Sequence, residues 1–273
     1  MRYEELYHIY RERFRQADFD SPDLEAAYIL AEVSGLSHTV IPFCGKTPDP
    51  DAVKRAEAFL ERRLRQEPFQ YIFGWTEFRE LRLSVGPGCL IPRPETEYLL
   101  DFILPVLPEN ASVCELGAGS GAISLSLAYE RKDVRVAASE ISPDAMYWAA
   151  KNRSDLHLTD RVRLESGDLF APFAGERFHV IVANLPYVDE DAVLPENVRR
   201  YEPGTALFAQ DHGMALIRRA LSEAPDHLYP GGRLFFEIGE DQGQACLTAA
   251  AHFRKAEIRQ DQYGVDRFLF AEL

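Results

Sequence analysis

Three short stretches of this chain carry the residue types that chemistry needs. The first is Asn184-Leu185-Pro186-Tyr187, which directly follows the apolar run Val180 to Ala183. Proline at the mouth of a buried parallel strand removes a ladder donor, so the strand stops and the turn presents Asn184 and Tyr187. A planar amide or aromatic amine has a delocalised nitrogen lone pair, and two oxygens that accept its N–H hydrogens localise that pair toward an electrophile. The Asn184 side-chain oxygen and the Leu185 main-chain carbonyl are two such acceptors, and Tyr187 can lie on the planar group and exclude water. The acceleration would then come from proximity and electrostatics beside an activated methyl donor, with no strong base.

The second stretch is Gly117-Ala118-Gly119-Ser120-Gly121, between Val113-Cys114-Glu115-Leu116 and the helical run Ile123 to Tyr129. Glycines there permit positive φ and close approach of a ligand, and the helix that follows offers unpaired N–H groups. The third is a pair of carboxylates. Glu140 ends the second strand, 23 residues after Gly117, where a ribose diol lies in a doubly wound fold, and Asp168 ends the third. A dinucleotide or S-adenosylmethionine satisfies this pattern. The loop leans toward the latter, because its third glycine comes two residues after the second where the dinucleotide fingerprint needs three. Glu115, just ahead of the loop, is placed to meet the ammonium of a cofactor that carries an amino acid.

These groups need a scaffold that brings strand ends together. After Pro94 apolar strands alternate with helical stretches, at 112–116, 134–139, 162–165, 180–183, 233–238, 256–259 and 267–271, which indicates βαβ units and a mostly parallel sheet covered on both faces. The last connection, through Gln262-Tyr263-Gly264, is too short for a crossover helix, so the final strand runs antiparallel. Residues 1–74 read as a separate helical domain: Tyr3, Leu6, Tyr7, Tyr10 and Phe14 have helical spacing, Ser21-Pro22-Asp23 opens a second helix with Leu24, Ala27, Tyr28 and Ala31 on one face, and Asp49-Pro50-Asp51 opens a third. Between them, residues 75–91 alternate and carry Gly86-Pro87-Gly88, the texture of a β-hairpin linker, which leaves 92–273 as the catalytic domain.

Composition narrows the function. The 273 residues carry 30 Lys and Arg against 44 Asp and Glu, a formal net charge of −14, which repels a phosphate backbone. The basic runs Arg62-Arg63-Leu64-Arg65 and Arg199-Arg200 are interleaved with Glu57, Glu61, Glu67, Glu196 and Glu202 and read as solvated or partner-facing surface. Cys44, Cys89, Cys114 and Cys246 form no C-x-x-C pair, so neither a metal site nor a disulfide framework is expected, and a reducing cytoplasm fits best. The N-terminus lacks the apolar stretch of a signal peptide, and no window approaches a membrane span. His179 reads as a strand residue; His212 lies nearer the site by chain logic. Arg93 and Glu97 read either as the rim of the cofactor pocket or as a surface pair.

Asn184-Leu185-Pro186-Tyr187 resembles the [Asn/Asp/Ser]-Pro-Pro-[Tyr/Phe] motif of class I methyltransferases that act on planar nitrogens. Most of the chain is similar to the bacterial release factor glutamine methyltransferases, the PrmC/HemK family. The matching segments are Phe69 to Gly74, Glu77-Phe78, Ile91-Pro92-Arg93-Pro94-Glu95-Thr96-Glu97, Glu115 to Gly121, Tyr201-Glu202-Pro203 with Ala206-Leu207, and Asp211-His212-Gly213-Met214. The resemblance implies an α/β class I S-adenosylmethionine-dependent methyltransferase: a Rossmann-like, seven-stranded, mostly parallel sheet with an antiparallel last strand, preceded by a small helical domain. It implies N5-methylation of the glutamine in the Gly-Gly-Gln tip of class I peptide chain release factors, with S-adenosyl-L-homocysteine as product and no metal.

By the same likeness Glu115, Gly117, Ala118, Gly119, Ser120, Gly121 and Glu140 hold the cofactor, with Asp168 and Leu169 near its adenine and Asn184 at its reactive end. Asn184, Leu185, Pro186 and Tyr187 grip the glutamine, with Asn184 and Tyr187 catalytic, and the N-terminal helices contact the release factor. A cytoplasmic monomer that binds no nucleic acid or membrane directly is expected. The family usually has proline where Leu185 stands; leucine keeps the carbonyl and loosens φ. The nearest rival reading is a nucleic-acid adenine amino methyltransferase, which presents the same planar amine. A Rossmann oxidoreductase gives no reason for the tetrapeptide and would bind NAD(H), whereas a docking scaffold without catalysis would bind no nucleotide.

Overall fold

Tyr3, Leu6, Tyr7, Tyr10 and Phe14 form the buried stripe of helix α1 (Tyr3–Gln16) in the computed structural model, which describes all 273 residues. The chain divides at Gly74 into two units. In the first, α2 (Pro22–Ser34), a 3₁₀ turn at Ile41–Phe43, α3 (Pro50–Arg63) and α4 (Phe69–Phe73) follow α1. The Asp49 carboxylate caps α3 by accepting the Ala52 N–H at 2.7 Å, and Pro50 occupies the first turn, where its missing N–H has no partner to lose.

The buried face of α2 is not the one its spacing suggested. Ala26, Ala27, Ile29 and Leu30 are buried, whereas Leu24 and Tyr28 are 47% and 38% exposed. Its apolar residues are spread round the helix, so packing against α1 and α3 selects the stripe. The basic run at the end of α3 also turns out differently. Arg63 forks onto Glu25 at 2.6 and 2.7 Å, and Arg62 reaches Glu67 and the carbonyls of Tyr71 and Ile72, so both arginines tie the unit together.

The second unit opens with a hairpin of β1 (Trp75–Phe78) and β2 (Leu81–Ser84). It turns at Arg79-Glu80, and Gly86-Pro87-Gly88 lies beyond it. Then come α5 (Pro94–Ile103), β3 (Ser112–Leu116), α6 (Ala122–Glu130), β4 (Arg135–Glu140), α7 (Pro143–Asp155), β5 (Val162–Ser166), β6 (Phe178–Ala183), β7 (Val188–Asp189), α8 (Glu196–Tyr201), α9 (Gly204–Leu207), β8 (Phe208–Ala209), α10 (Ala215–His227), β9 (Leu228–Glu237), α11 (Gly243–Ala249), β10 (Lys255–Gln260) and β11 (Asp266–Glu272).

Seven strands form one sheet in the order β10-β11-β9-β6-β3-β4-β5, and β11 runs antiparallel to both of its neighbours while the others are parallel. Alternate residues of each central strand enter opposite cores: Cys114, Ile181 and Phe236 pack with α10 and α11, and Val113, Val180 and Phe235 with α5 and α6. Both faces are apolar because both are covered. The order reverses at β3, so the chain leaves β3 and β6 on opposite sides of a crevice at their carboxyl ends, the position at which open α/β sheets bind ligands.

Candidate active site

At the end of β3, Gly117, Gly119 and Gly121 adopt φ of +75°, +57° and +81°, a winding that side chains with a Cβ resist. The Ser139 carbonyl accepts the N–H groups of Gly117 and Ala118, both at 2.9 Å, which lashes the loop to β4. Beneath it, Glu115 points toward α6, where its carboxylate accepts the Ser124 N–H at 3.0 Å. Burial pushes the Glu115 carboxyl up to about 8. At the end of β4, Glu140 accepts from the Gly119 N–H at 2.8 Å and the Ser142 N–H at 2.7 Å, one on each oxygen. Each oxygen retains a lone pair for a ligand hydroxyl.

A cleft of about 820 Å³, counted out to its open mouth, runs along these strand ends. Gly117, Gly119, Glu140, Asp168, Leu169, Asn184, Leu185 and Pro186 line it. Ala118, Ser120, Gly121 and Glu115 do not; the loop turns them inward, and Glu115 is 1% exposed. Several other lining residues fell outside the sequence reading, Ile141 and Ser139 among them. Ile141 follows Glu140 and is 67% exposed. Ser139 also lines the cleft, and its hydroxyl is buried without a hydrogen-bond partner. Asp168, at the far end, pairs with Arg219 at 2.8 Å.

The tetrapeptide leaves β6 beside the cleft and opens a second, smaller pocket of about 320 Å³, counted in the same way, lined by Leu90, Arg93, Asn184, Leu185, Tyr187 and Glu237 among others. Here a chain of hydrogen bonds runs through the corner beside the tetrapeptide. Asn184 Nδ2 donates to Thr96 Oγ1 at 3.0 Å, Thr96 Oγ1 donates to Glu237 Oε2 at 2.7 Å, and the Tyr187 hydroxyl donates to Glu237 Oε1 at 3.0 Å. Burial pushes both the Tyr187 phenol and the Glu237 carboxyl up. The backbone after Tyr187 is held too. Gln242 Nε2 donates to the carbonyls of Tyr187 and His212 at 2.9 and 3.0 Å, and the two-residue strands β7 and β8 pair alongside.

Sequence reasoning passed over Thr96 and Glu237, although both carried a signal. Thr96 sits inside Ile91 to Glu97, the most specific of the matching segments, and Glu237 is a carboxylate at the carboxyl end of a buried strand. Arg93 pairs with buried Glu202 at 2.5 Å rather than with Glu97. Glu202 also accepts the Ile91 N–H at 3.0 Å, so two distant matching segments meet at one carboxylate. His179 bonds Ser112 on β3 as a strand residue, and His212 is exposed, with Asp189 at 2.7 Å raising its affinity for a proton.

A seven-stranded sheet with one reversed strand, a glycine loop at its switch point and carboxylates at successive strand ends define a class I methyltransferase. Residues 5–74 match the PrmC N-terminal domain and residues 96–200 the methyltransferase small domain. The release factor glutamine methyltransferase of Neisseria gonorrhoeae is 40% identical over 252 residues, covering 90% of this chain and 92% of that protein. The chain belongs to the release factor glutamine methyltransferase family. Among solved structures, a methyltransferase from Pyrococcus furiosus shares the fold with a TM-score of 0.54 at 17% identity, over 81% of this chain and 98% of that one. A Thermus thermophilus 16S rRNA N2 G1207 methyltransferase, solved with AdoMet and guanosine, shares it with a TM-score of 0.52 at 18% identity, over 72% of this chain and 49% of that one. No helix is long and apolar enough to cross a membrane.

Proposed function

We propose that this protein methylates N5 of the glutamine side chain in the Gly-Gly-Gln tip of class I peptide chain release factors, with S-adenosylmethionine as donor. The observation that carries this reading is the position of Asn184-Leu185-Pro186-Tyr187: it lines both the cleft at the switch point and the small pocket beside it, so one turn adjoins a donor site and an acceptor site.

The cleft suits an adenosyl cofactor. Positive-φ glycines at 117 and 119 leave room for close approach, Glu140 has lone pairs for a ribose diol, and Leu169 and Ile141 supply apolar wall for an adenine. When bound, S-adenosylmethionine supplies an electrophilic methyl group on a sulfonium. Glu115 supports the loop from beneath through α6, behind the wall on which the cofactor ammonium is expected to sit.

At the acceptor corner, Asn184 Oδ1 and the Leu185 carbonyl accept the two N–H hydrogens of the substrate carboxamide and turn its lone pair toward the cleft. Tyr187, its hydroxyl tied to Glu237, holds its ring as a wall that excludes water. The methylated nitrogen, left beside the neutral thioether S-adenosylhomocysteine, is a strongly acidic N-protonated amide and gives its surplus proton to water at the open mouth of the cleft, so neither His179 nor His212 is needed as a base. The helical unit is assigned to release factor recognition. All four cysteines are buried free thiols, in keeping with a cytoplasmic protein.

The test is transfer of radiolabelled methyl groups to purified release factors with the tip glutamine present or replaced by alanine. Label that depends on the glutamine supports the reading. Label that persists without it rejects the substrate.

A further inference from the structure

The tetrapeptide asparagine has two chemically opposite ends, and only one suits the acceptor corner. A substrate carboxamide nitrogen brings N–H donors, so the group facing it must be an oxygen. Asparagine alone does not guarantee this, since a half-turn about its last bond would present an NH₂ and clash donor against donor. Something in the protein has to choose the orientation.

The choice is visible in the partners of Asn184. Its Nδ2 donates to Thr96 Oγ1 at 3.0 Å, and the Thr96 hydroxyl has a single proton, which goes to Glu237 Oε2 at 2.7 Å. The two hydroxyls donated to Glu237 and the charge of Arg267 oppose the effect of burial and favour its ionised, acceptor-only form, and its other oxygen takes the Tyr187 hydroxyl proton at 3.0 Å. Every proton in the chain is therefore directed toward Glu237. Thr96 has no proton left for Asn184 and can only accept, so the Asn184 nitrogen is held against Thr96 and its oxygen is turned to the other side. Glu237 and Thr96 are 1% and 4% exposed, so bulk water does not compete at these two members, and hydrogen bonds in such a low-dielectric setting are strong. The elements that carry it are separate: Thr96 lies in the first turn of α5, Glu237 ends β9, and Asn184 and Tyr187 follow β6.

We propose that Thr96 and Glu237 are positioning residues that fix which end of the Asn184 carboxamide faces the acceptor, with Glu237 fixing the Tyr187 ring from the same carboxylate. The inference rests on the glutamine-methylation reading for the identity of the acceptor, but the orientation itself is a property of the free protein. Thr96 acts through Asn184; it belongs to α5 and does not line either pocket.

Two variants and a spectrum test it. Thr96→Val keeps the shape and removes the hydroxyl; Thr96→Ser keeps the hydroxyl. We expect Thr96→Val to lower kcat for release factor methylation on the order of 10²-fold, the scale of a misplaced reacting group, with S-adenosylhomocysteine affinity unchanged within about twofold and with Thr96→Ser restoring most of the rate. In the free protein, the Asn184 side-chain amide, assigned in a ¹⁵N–¹H correlation by its loss in Asn184→Ala, should exchange slowly with water in the wild type and in Thr96→Ser, and quickly in Thr96→Val. Wild-type turnover by Thr96→Val overturns the inference, as does a loss that Thr96→Ser fails to rescue. Should Thr96→Val not fold, fast exchange of the Asn184 amide in the wild type overturns it alone. An inactive wild type with a slowly exchanging Asn184 amide would reject the substrate reading and leave the orientation standing.

Discussion

Asn152 grips Ser84 at both ends of its peptide backbone, accepting the Ser84 N–H at 2.7 Å and donating to the Ser84 carbonyl at 2.9 Å. Its second amide hydrogen goes to the Ser120 carbonyl at 3.0 Å. A single side chain on α7 thus joins the hairpin strand β2 to the glycine loop. Asn152 is 2% exposed, so removing the amide leaves three buried backbone groups unpaired. Asn152→Ala should destabilise the second unit by about 2–4 kcal/mol and also weaken S-adenosylmethionine binding, because the loop it holds lines the cleft. Urea unfolding and calorimetric titration measure the two effects. A stability loss with unchanged affinity would show that the loop keeps its winding without Asn152.

The buried Glu115 sets a pH dependence of stability. Its pKa, pushed up to about 8 by burial from an ordinary 4.5, means that the folded state keeps a proton which the unfolded chain releases. The stabilisation is complete below pH 4.5 and is lost as pH rises toward 8, since folded protein binds more protons throughout that window. Glu115→Gln keeps an acceptor for the Ser124 N–H and has no charge to bury. Relative to wild type it should gain stability on going from pH 5 to pH 8, by about 2–4 kcal/mol. Parallel denaturation curves for the two proteins at both pH values would refute this.

Much of this architecture was legible in the sequence, for a physical reason. Strands such as Val180 to Ala183 are apolar on both faces because the sheet is covered twice, and such runs stand out between helices. The glycine loop was legible because its positive φ values allow few residue types, and Glu140 because a carboxylate at the end of the next strand stands out beside such a loop. The face of α2 was not, since its apolar residues are spread round the helix and carry little directional pattern. Nor were Thr96, Asn152 and Glu237. Each works through partners on other elements, 88 residues away for Thr96 and Asn184 and 68 for Asn152 and Ser84, and no local spacing encodes a meeting that only the closed fold produces.

Donor and acceptor functions should separate by mutation. Glu140→Ala removes the proposed ribose partner together with the acceptor of the Gly119 and Ser142 N–H groups, and should weaken cofactor binding by about 1–3 kcal/mol. Asn184→Ala should abolish methyl transfer with the cofactor dissociation constant within a few-fold of wild type. Calorimetric titration and single-turnover transfer, run on both variants, form a crossed test. Equal loss of affinity in the two would place Asn184 on the donor side instead.

Gly213 fixes the exit of the acceptor turn from outside. Its φ is +80°, and a Cβ built there would lie 1.9 Å from the Tyr187 carbonyl oxygen and 2.6 Å from Gln242 Nε2. The backbone therefore passes so close to Tyr187 that no side chain fits between them. Gly213→Ala must push the Tyr187 carbonyl away or break the bond it accepts from Gln242, and either shift moves the ring and the two acceptor oxygens next to it. The left-handed conformation adds about 1 kcal/mol of strain for alanine. A modest drop in melting temperature is expected beside a loss of methyl transfer on the order of 10²-fold, with cofactor affinity retained, because Gly213 lines neither the glycine loop nor Glu140. If transfer falls only in proportion to the folded fraction, the acceptor turn tolerates displacement and its geometry is set elsewhere.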